Sequence, residues 1–159
     1  MNNYICIDSS VLLKVLIIEE DSTIATELLQ SVIERKQIIV LPAFAWAEVG
    51  SVLRKKSRKD DLAAQEADDL WMEFRKFSGI TYLEENAIMD RAWRISRYFD
   101  MPTLYDAAYL AVCEIIEEQT NEVCEFWTAD ERLVNTVKNK KYVNLLRNFL
   151  TSTLKEGEE

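Results

Sequence analysis

The stretch Cys6-Ile7-Asp8-Ser9-Ser10-Val11-Leu12-Leu13 predicts the end of a buried strand followed at once by a helix. An apolar run over residues 4–7 reaches the carboxylate of Asp8, and two hydroxyl side chains come directly after it. In open α/β sheets, ligands bind where the carboxyl ends of the strands meet the helices that follow. We therefore expect Asp8 to lie at the mouth of a site and not in the core.

The rest of the chain alternates short apolar runs with helical patterns. Further strands are predicted over residues 38–41, 80–83 and 123–127, with a short edge strand near residues 142–143. The segments between them repeat apolar residues at helical spacing. This alternation is typical of a parallel sheet with right-handed crossovers and helices on both faces. We predict a three-layer α/β/α sandwich whose central, mostly parallel sheet has four or five strands.

The length and composition of the chain are those of one soluble globular domain. The 159 residues contain 48% hydrophobic and 30% charged residues, which is ordinary for such domains. We predict a single domain over residues 1–150 and an acidic tail over residues 151–159. No apolar run approaches the roughly 20 residues of a membrane span, and the N-terminus does not resemble a signal peptide. A cytoplasmic protein without membrane contact is expected.

The absence of histidine restricts the chemistry of the chain. It excludes Ser-His and Cys-His nucleophiles and leaves no plausible zinc site. Cys6, Cys113 and Cys124 form no C-x-x-C pair and have apolar neighbours, so we expect buried, reduced thiols. The net charge of −9 argues against a general nucleic-acid-coating surface. An enzyme with this composition must use carboxylates, hydroxyls or lysines.

Four acidic residues are the candidates for such chemistry: Asp8, Glu48, Asp106 and Asp130. The three aspartates are predicted near strand ends or helix starts on one edge of the sheet. The helical neighbours of Glu48 are mainly apolar, and carboxylates are rarely buried without a partner. Clustered carboxylates repel each other and persist when a divalent cation neutralises them. Ligands that are all oxygen suit Mg²⁺ or Mn²⁺.

Each acid taken alone also has a purely structural interpretation. Asp8 and Asp130 could be helix N-caps, and Thr103-x-x-Asp106 could be a capping box at the start of a helix that Thr103 opens. Glu48 could form a buried pair with an arginine or lysine. Capping explains the four acids together less well, because Glu48 lies at no predicted helix end.

The basic run over residues 54–59 continues the helix that carries Glu48. It could be a solvated helix C-terminus, where cations offset the helix dipole. In the functional interpretation, Arg54, Lys55 and Arg58 bind substrate phosphates, which would make binding depend on salt. The tryptophans at helical spacing are predicted to be core residues and not platforms for base stacking: Trp46, Trp71 and Trp93.

Four segments resemble the four motifs of PIN-domain ribonucleases, and most closely those of the VapC-like toxins of prokaryotic toxin–antitoxin pairs. The segments are residues 7–12, 46–49, 104–111 and 128–133. They occur in the order of the family and cover nearly the whole chain. The resemblance implies a nuclease in which Asp8 and Asp106 are the principal ligands of Mg²⁺ or Mn²⁺. Asp130 would complete the metal site, and Glu48 would bind metal or orient the attacking water.

The resemblance also implies the substrate and the partners. Ser9 and Thr128 would hold carboxylates or phosphate by hydrogen bonds, and the substrate would be RNA. A homodimer and a cognate antitoxin protein are expected. Alternatives are a housekeeping RNA-processing or DNA-cleaving nuclease of the same fold, and a catalytically inactive binding protein on this fold. A receiver-type signalling module would need a phospho-acceptor aspartate ending a central strand, and the second and third predicted strands lack one.

Overall fold

A sheet of five parallel strands forms the centre of the computed structural model, which describes residues 2–149. The acidic tail expected over residues 151–159 lies outside the described residues. The strands are β1 Tyr4–Ile7, β2 Ile38–Pro42, β3 Ile80–Leu83, β4 Glu125–Thr128 and β5 Val143–Leu145. Their order across the sheet is β3-β2-β1-β4-β5, and every neighbouring pair is parallel.

Seven α-helices connect the strands in the described part of the chain, and a short 3₁₀ turn over Leu146–Asn148 follows β5. The helices are α1 Ser9–Leu16, α2 Ser22–Glu34, α3 Ala45–Arg58, α4 Ala64–Arg75, α5 Asn86–Tyr98, α6 Tyr105–Thr120 and α7 Glu131–Thr136. Helix α1 packs against α2, α3 and α4, whereas α6 packs against α5 and against β1, β2 and β4. The predicted sandwich of helices around a parallel sheet is therefore confirmed.

The central strand β1 is buried, and its position determines where a site can form. The side chains of Ile5, Cys6 and Ile7 are at most 3% exposed. From β1 the chain moves outward to β2 and β3 and then returns to place β4 on the other side of β1. The order of the strands thus reverses between β1 and β4, and ligand crevices occur at such a reversal. The predicted burial of Cys6, Cys113 and Cys124 is also confirmed, and all three are free thiols.

Some local predictions were wrong. Pro42 follows the second predicted strand and suits the first position of a helix, but it is the last residue of β2. The next amide, that of Ala43, donates to the carbonyl of Leu83. Trp46 and Trp93 are 48% and 56% exposed, because each lies one position beside the buried stripe of its helix. In the described residues, no helix has the length and apolarity needed to cross a bilayer.

The carboxylate of Glu114 joins α6 to α5 and to the segment before β5. It accepts hydrogen bonds from Arg91 Nη1 at 3.1 Å, Lys140 Nζ at 2.7 Å and the Tyr142 hydroxyl. Its side chain is only 17% exposed. Burial alone would raise the pKa of Glu114, but its hydrogen bonds with Lys140, Tyr142 and Arg91 and the charge of Lys140 lower it overall. A charged Glu114 therefore stabilises the fold.

We predict that Glu114→Gln lowers the free energy of unfolding by about 2 kcal/mol near neutral pH. Because the folded-state pKa is the lower one, the contribution is complete above the unfolded pKa and is lost as pH falls through the folded pKa. Urea unfolding at several pH values measures the difference. The matched control is Glu118→Gln, since Glu118 pairs with the same Arg91 but its side chain is 57% exposed. Equal losses in the two variants would contradict the prediction.

Candidate active site

Asp8 follows β1 and is the most buried of the four candidate acids, at 7% exposed. Its backbone N–H donates to the carbonyl of Trp127 on β4 at 2.9 Å. Its carboxylate accepts hydrogen bonds from the hydroxyls of Thr128 at 2.8 Å, Ser10 at 2.9 Å and Ser9 at 3.4 Å. Burial raises the pKa of Asp8, and the hydroxyls of Thr128 and Ser10 partly oppose that rise. Three hydroxyls thus hold the carboxylate in place.

The hydroxyl of Thr128 connects Asp8 to Asp130. Thr128 is fully buried; it donates to Asp8 Oδ2, and the Asp130 N–H donates to its oxygen at 3.0 Å. Asp130 is the N-cap of α7, and its Oδ1 accepts from the Leu133 N–H at 3.2 Å. The capping interpretation therefore holds for Asp130, whose side chain is also exposed beside Asp8. Asp8 occupies the N-cap position of α1, but its side chain makes no capping bond there.

Glu48 lies in the first turn of α3 and is held by a tyrosine from α6. The hydroxyl of Tyr109 donates to Glu48 Oε1 at 2.7 Å. The ring of Tyr109 is 1% exposed and packs between Phe44 and Phe126, at centroid distances of 6.1 and 5.6 Å. Within the described residues Glu48 forms no ion pair, so a buried pair with arginine or lysine is not its explanation. Burial and the charges of Asp8 and Asp106 raise the pKa of Glu48.

Asp106 lies in the first turn of α6, one turn before Tyr109. The alternative of a capping box at Thr103 does not hold, because α6 begins at Tyr105, its N-cap is Leu104, and no side chain caps it. Asp106 is exposed on its outer side, yet partial loss of hydration raises its pKa to about 6, with further contributions from the charges of Asp8 and Asp130. With Asp130 it lines a surface cavity of about 300 Å³.

The four acids form one electrostatic cluster. The charge of Asp8 acts on Glu48 and Asp106, and that of Asp130 acts on Asp8 and Asp106. This all-oxygen donor set fits the ligands that Mg²⁺ and Mn²⁺ prefer. Within residues 2–149, however, no three acidic or cysteine side chains are so arranged that they could hold a metal ion as they stand. A cation held by three or more of these acids would therefore require some of their side chains to move.

The basic run over residues 54–59 lies farther along α3 than Glu48. A helical rise of about 1.5 Å per residue separates Glu48 from Arg54 by about 9 Å and from Arg58 by about 15 Å along the axis. Arg54, Lys55 and Arg58 are exposed. The structure therefore brings Ser9 and Thr128 to the acid cluster but leaves these three cations at the other end of the helix. Their contact with substrate stays a prediction.

Sequence reasoning gave no role to Tyr109 or to Ser10, although both contact the acids. The signal for Tyr109 was its position three residues after Asp106, since residues three apart lie on the same side of a helix. The signal for Ser10 was a second hydroxyl directly after a strand-ending aspartate. The signal for Tyr109 does not name its partner, because Glu48 lies on α3. Ser10 donates to nearby Asp8, but it also accepts from the N–H of Ala129, the residue that follows β4.

We predict that Asp106→Asn raises the melting temperature by a few degrees at about pH 7.5 in EDTA. The folded-state pKa of about 6 exceeds the ordinary value of 3.8, so the charged form of Asp106 destabilises the fold above that range. The gain should fall to a small fraction near pH 4, where the folded-state carboxyl is neutral and the unfolded-state carboxyl is about half protonated.

Calorimetry at the two pH values, with Asp68→Asn as the control, tests this prediction. Asp68 is an exposed aspartate on α4, away from the cluster. A gain that persists undiminished at the lower pH, or that Asp68→Asn reproduces, would contradict the electrostatic origin.

Comparison with known proteins identifies the fold and the family of the chain. The crystal structure of PAE2754 from Pyrobaculum aerophilum superposes with a TM-score of 0.58 at 20% sequence identity, over 94% of this chain and 93% of that one. At this identity the likeness shows a shared fold only. No curated protein matches the chain by sequence. The PIN domain family matches residues 5–139, and nucleases of this family typically use divalent metal ions. The chain therefore belongs to the PIN domain family, a superfamily of nucleases.

Proposed function

We propose that this protein is a metal-dependent endoribonuclease that hydrolyses RNA phosphodiester bonds, and that it is the toxin of a type II toxin–antitoxin pair. The observation that carries the proposal is the cluster of four interacting carboxylates at the end of β1 in a chain without histidine. Without histidine, water must be activated by a carboxylate or by a cation that carboxylates hold.

In this proposal the aspartates bind the cation, and neighbouring hydroxyls orient the carboxylate of Asp8. Asp8, Asp106 and Asp130 would hold Mg²⁺ or Mn²⁺, with Asp8 fixed by its hydroxyl partners. The cation supplies charge neutralisation at the phosphate and lowers the pKa of a water. Thr128 and Ser9 keep the carboxylate of Asp8 in one orientation. A bound cation would also offset the mutual repulsion of the four carboxylates.

Glu48 is suited to orient the attacking water and to accept its proton. Its Oε1 already accepts the hydrogen bond of Tyr109, and its pKa is raised by burial and by the neighbouring acids. A general base works best when its pKa lies near the working pH. The buried Tyr109 hydroxyl has a pKa far above its ordinary value, mainly through burial, so it remains a donor to Glu48.

The toxin role, the cognate antitoxin and the homodimer rest on the resemblance of the motifs to VapC-like toxins. Exposed apolar side chains support a protein partner, because large apolar patches on a soluble protein mark interaction surfaces. Met89, Trp93 and Tyr105 are 52%, 56% and 56% exposed. We place the protein in the cytoplasm on the same grounds.

Cleavage of a structured RNA pool tests the activity. We expect cutting with Mg²⁺ or Mn²⁺ and none with EDTA. Asp8→Asn and Asp106→Asn should each lower the rate at least about a hundredfold, because loss of a metal ligand forfeits several kcal/mol of charge stabilisation.

The control for that experiment is Asp68→Asn, which leaves the cluster intact. Thermal melts of all variants separate loss of activity from loss of fold. Near-normal cleavage by Asp8→Asn, or cleavage that survives EDTA, would refute the assignment. Cleavage of single-stranded DNA in preference to RNA would replace the proposed substrate.

We also predict that Tyr109→Phe lowers kcat at least about tenfold, since a hydrogen bond to a charged group contributes roughly 1.5–3 kcal/mol. The ring still fills its place between Phe44 and Phe126, so the fold is retained. Steady-state kinetics beside Tyr105→Phe measures the effect, because Tyr105 is on the same helix but is 56% exposed. Equal kcat in both variants would mean that the Tyr109 hydroxyl does not position Glu48.

A further inference from the structure

A second cavity adjoins the cavity that Asp106 and Asp130 line. The first has a volume of about 300 Å³ and also contains Arg132. The second has a volume of about 400 Å³ and lies between the end of α5 and residues 139–140. Phe99 lines both cavities, so they adjoin at this residue. We call the two together the basic groove, after its four cations Arg91, Arg94, Arg132 and Lys140; four acids also line it, Asp100, Asp106, Asp130 and Glu114.

Two of the cations that line the groove form no ion pair within the described residues. In the second cavity Arg91 and Lys140 pair with Glu114, and Arg91 pairs also with Glu118. Arg94 lines the same cavity and Arg132 lines the first. Both are exposed, and neither forms an ion pair within residues 2–149. Arg132 thus shares a cavity with Asp106 and Asp130, and Arg94 lies in the adjoining one, in a chain with a net charge of −9.

An exposed aromatic ring lines the second cavity together with Arg94. Tyr98 lines the second cavity and is 77% exposed, with its ring edge-on to Phe99 at 4.8 Å. Arg94 precedes it by one helical turn and therefore shares its face of α5. Lys140 Nζ lies 5.7 Å from the centre of the Phe99 ring. A cation beside an exposed ring is the pattern that binds single-stranded nucleic acid.

We propose that the basic groove binds the single-stranded RNA that flanks the scissile phosphate. Arg132 and Arg94 contact successive regions of the phosphate backbone, and Tyr98 stacks on an unpaired base. A double strand does not meet this requirement, since its bases are already stacked on each other. The inference rests on the proposed function, because it assumes that the acid cluster cuts RNA. The proposal places the RNA that flanks the scissile phosphate against α5 and α7 and not against residues 54–59 of α3.

Fluorescence anisotropy with a labelled single-stranded oligoribonucleotide of about 12 nucleotides tests the groove. The protein carries Asp8→Asn so that the probe stays intact, and Mg²⁺ is present. Tyr98→Ala should weaken binding about tenfold, whereas Tyr98→Phe, which keeps the ring, should bind like the parent. Equal weakening by the two substitutions would overturn the stacking assignment.

The cations are tested by the salt dependence of the same binding. Arg94→Gln and Arg132→Gln should each lower the slope of log Kd against log salt by about 0.7, the value for one phosphate of a single strand. The matched control is Arg75→Gln, an exposed arginine in the last turn of α4. Arg54→Gln tests the competing path. An unchanged slope in both groove variants, or a loss confined to Arg54→Gln, would overturn the proposal.

Cleavage assays of the same variants, with Asp8 restored, distinguish the RNA-binding role of the groove from the proposed nuclease activity. If the groove is correct, Arg94→Gln and Tyr98→Ala raise KM for long RNA about tenfold. If the parent cuts RNA and these variants have its KM, the groove assignment is wrong while the nuclease assignment stands. If the parent neither cuts nor binds any RNA with Mg²⁺ or Mn²⁺, both are wrong. A single-stranded DNA probe of the same sequence distinguishes RNA from nucleic acid in general.

Discussion

The hydrogen bond from the Thr128 hydroxyl to the Asp8 carboxylate, 2.8 Å long and fully buried, is the interaction on which the site depends. It joins the ends of two neighbouring strands at the reversal of strand order. A carboxylate at this depth needs polar partners, since an unsatisfied buried charge is costly. Thr128 supplies one and also accepts from the Asp130 amide, so one side chain sets the positions of two acids. The core of β1 and β4 holds both residues in register.

The acid cluster opposes the stability of the fold that carries it. Burial and mutual repulsion raise the pKa of Asp8, Glu48 and Asp106, so each charged form costs folding free energy. Such groups persist where function requires them, because proteins retain local strain at sites that act on ligands. Glu114 is the counterexample within the same chain: its three donors lower its pKa and make its charge stabilising. The contrast separates the acids whose charge the fold opposes from one whose charge the fold stabilises.

The sequence predicted most of the sheet and the four acids because both follow from local patterns. An apolar run of four or five residues predicts a strand without reference to the rest of the chain. An acid directly after such a run is expected at the carboxyl end of a strand of the parallel sheet. Helix starts were less well predicted, as at Pro42 and Thr103, because loop geometry and tertiary contacts override capping preferences. The side chain of Tyr109 could be placed on its helix, but its bond to Glu48 joins residues 61 positions apart. No local pattern encodes that pairing.

The strand order also sets when the site can exist during synthesis. Asp8 is made among the first residues, but the strand that supplies its Thr128 partner is separated from it by 120 positions. Domains made on the ribosome emerge N-terminus first, and contacts between distant segments form last because loop closure must precede them. A partly synthesised chain therefore presents Asp8 and Glu48 without their neighbours from β4 and α7. Any activity that needs all four acids begins only when translation of the domain is nearly finished.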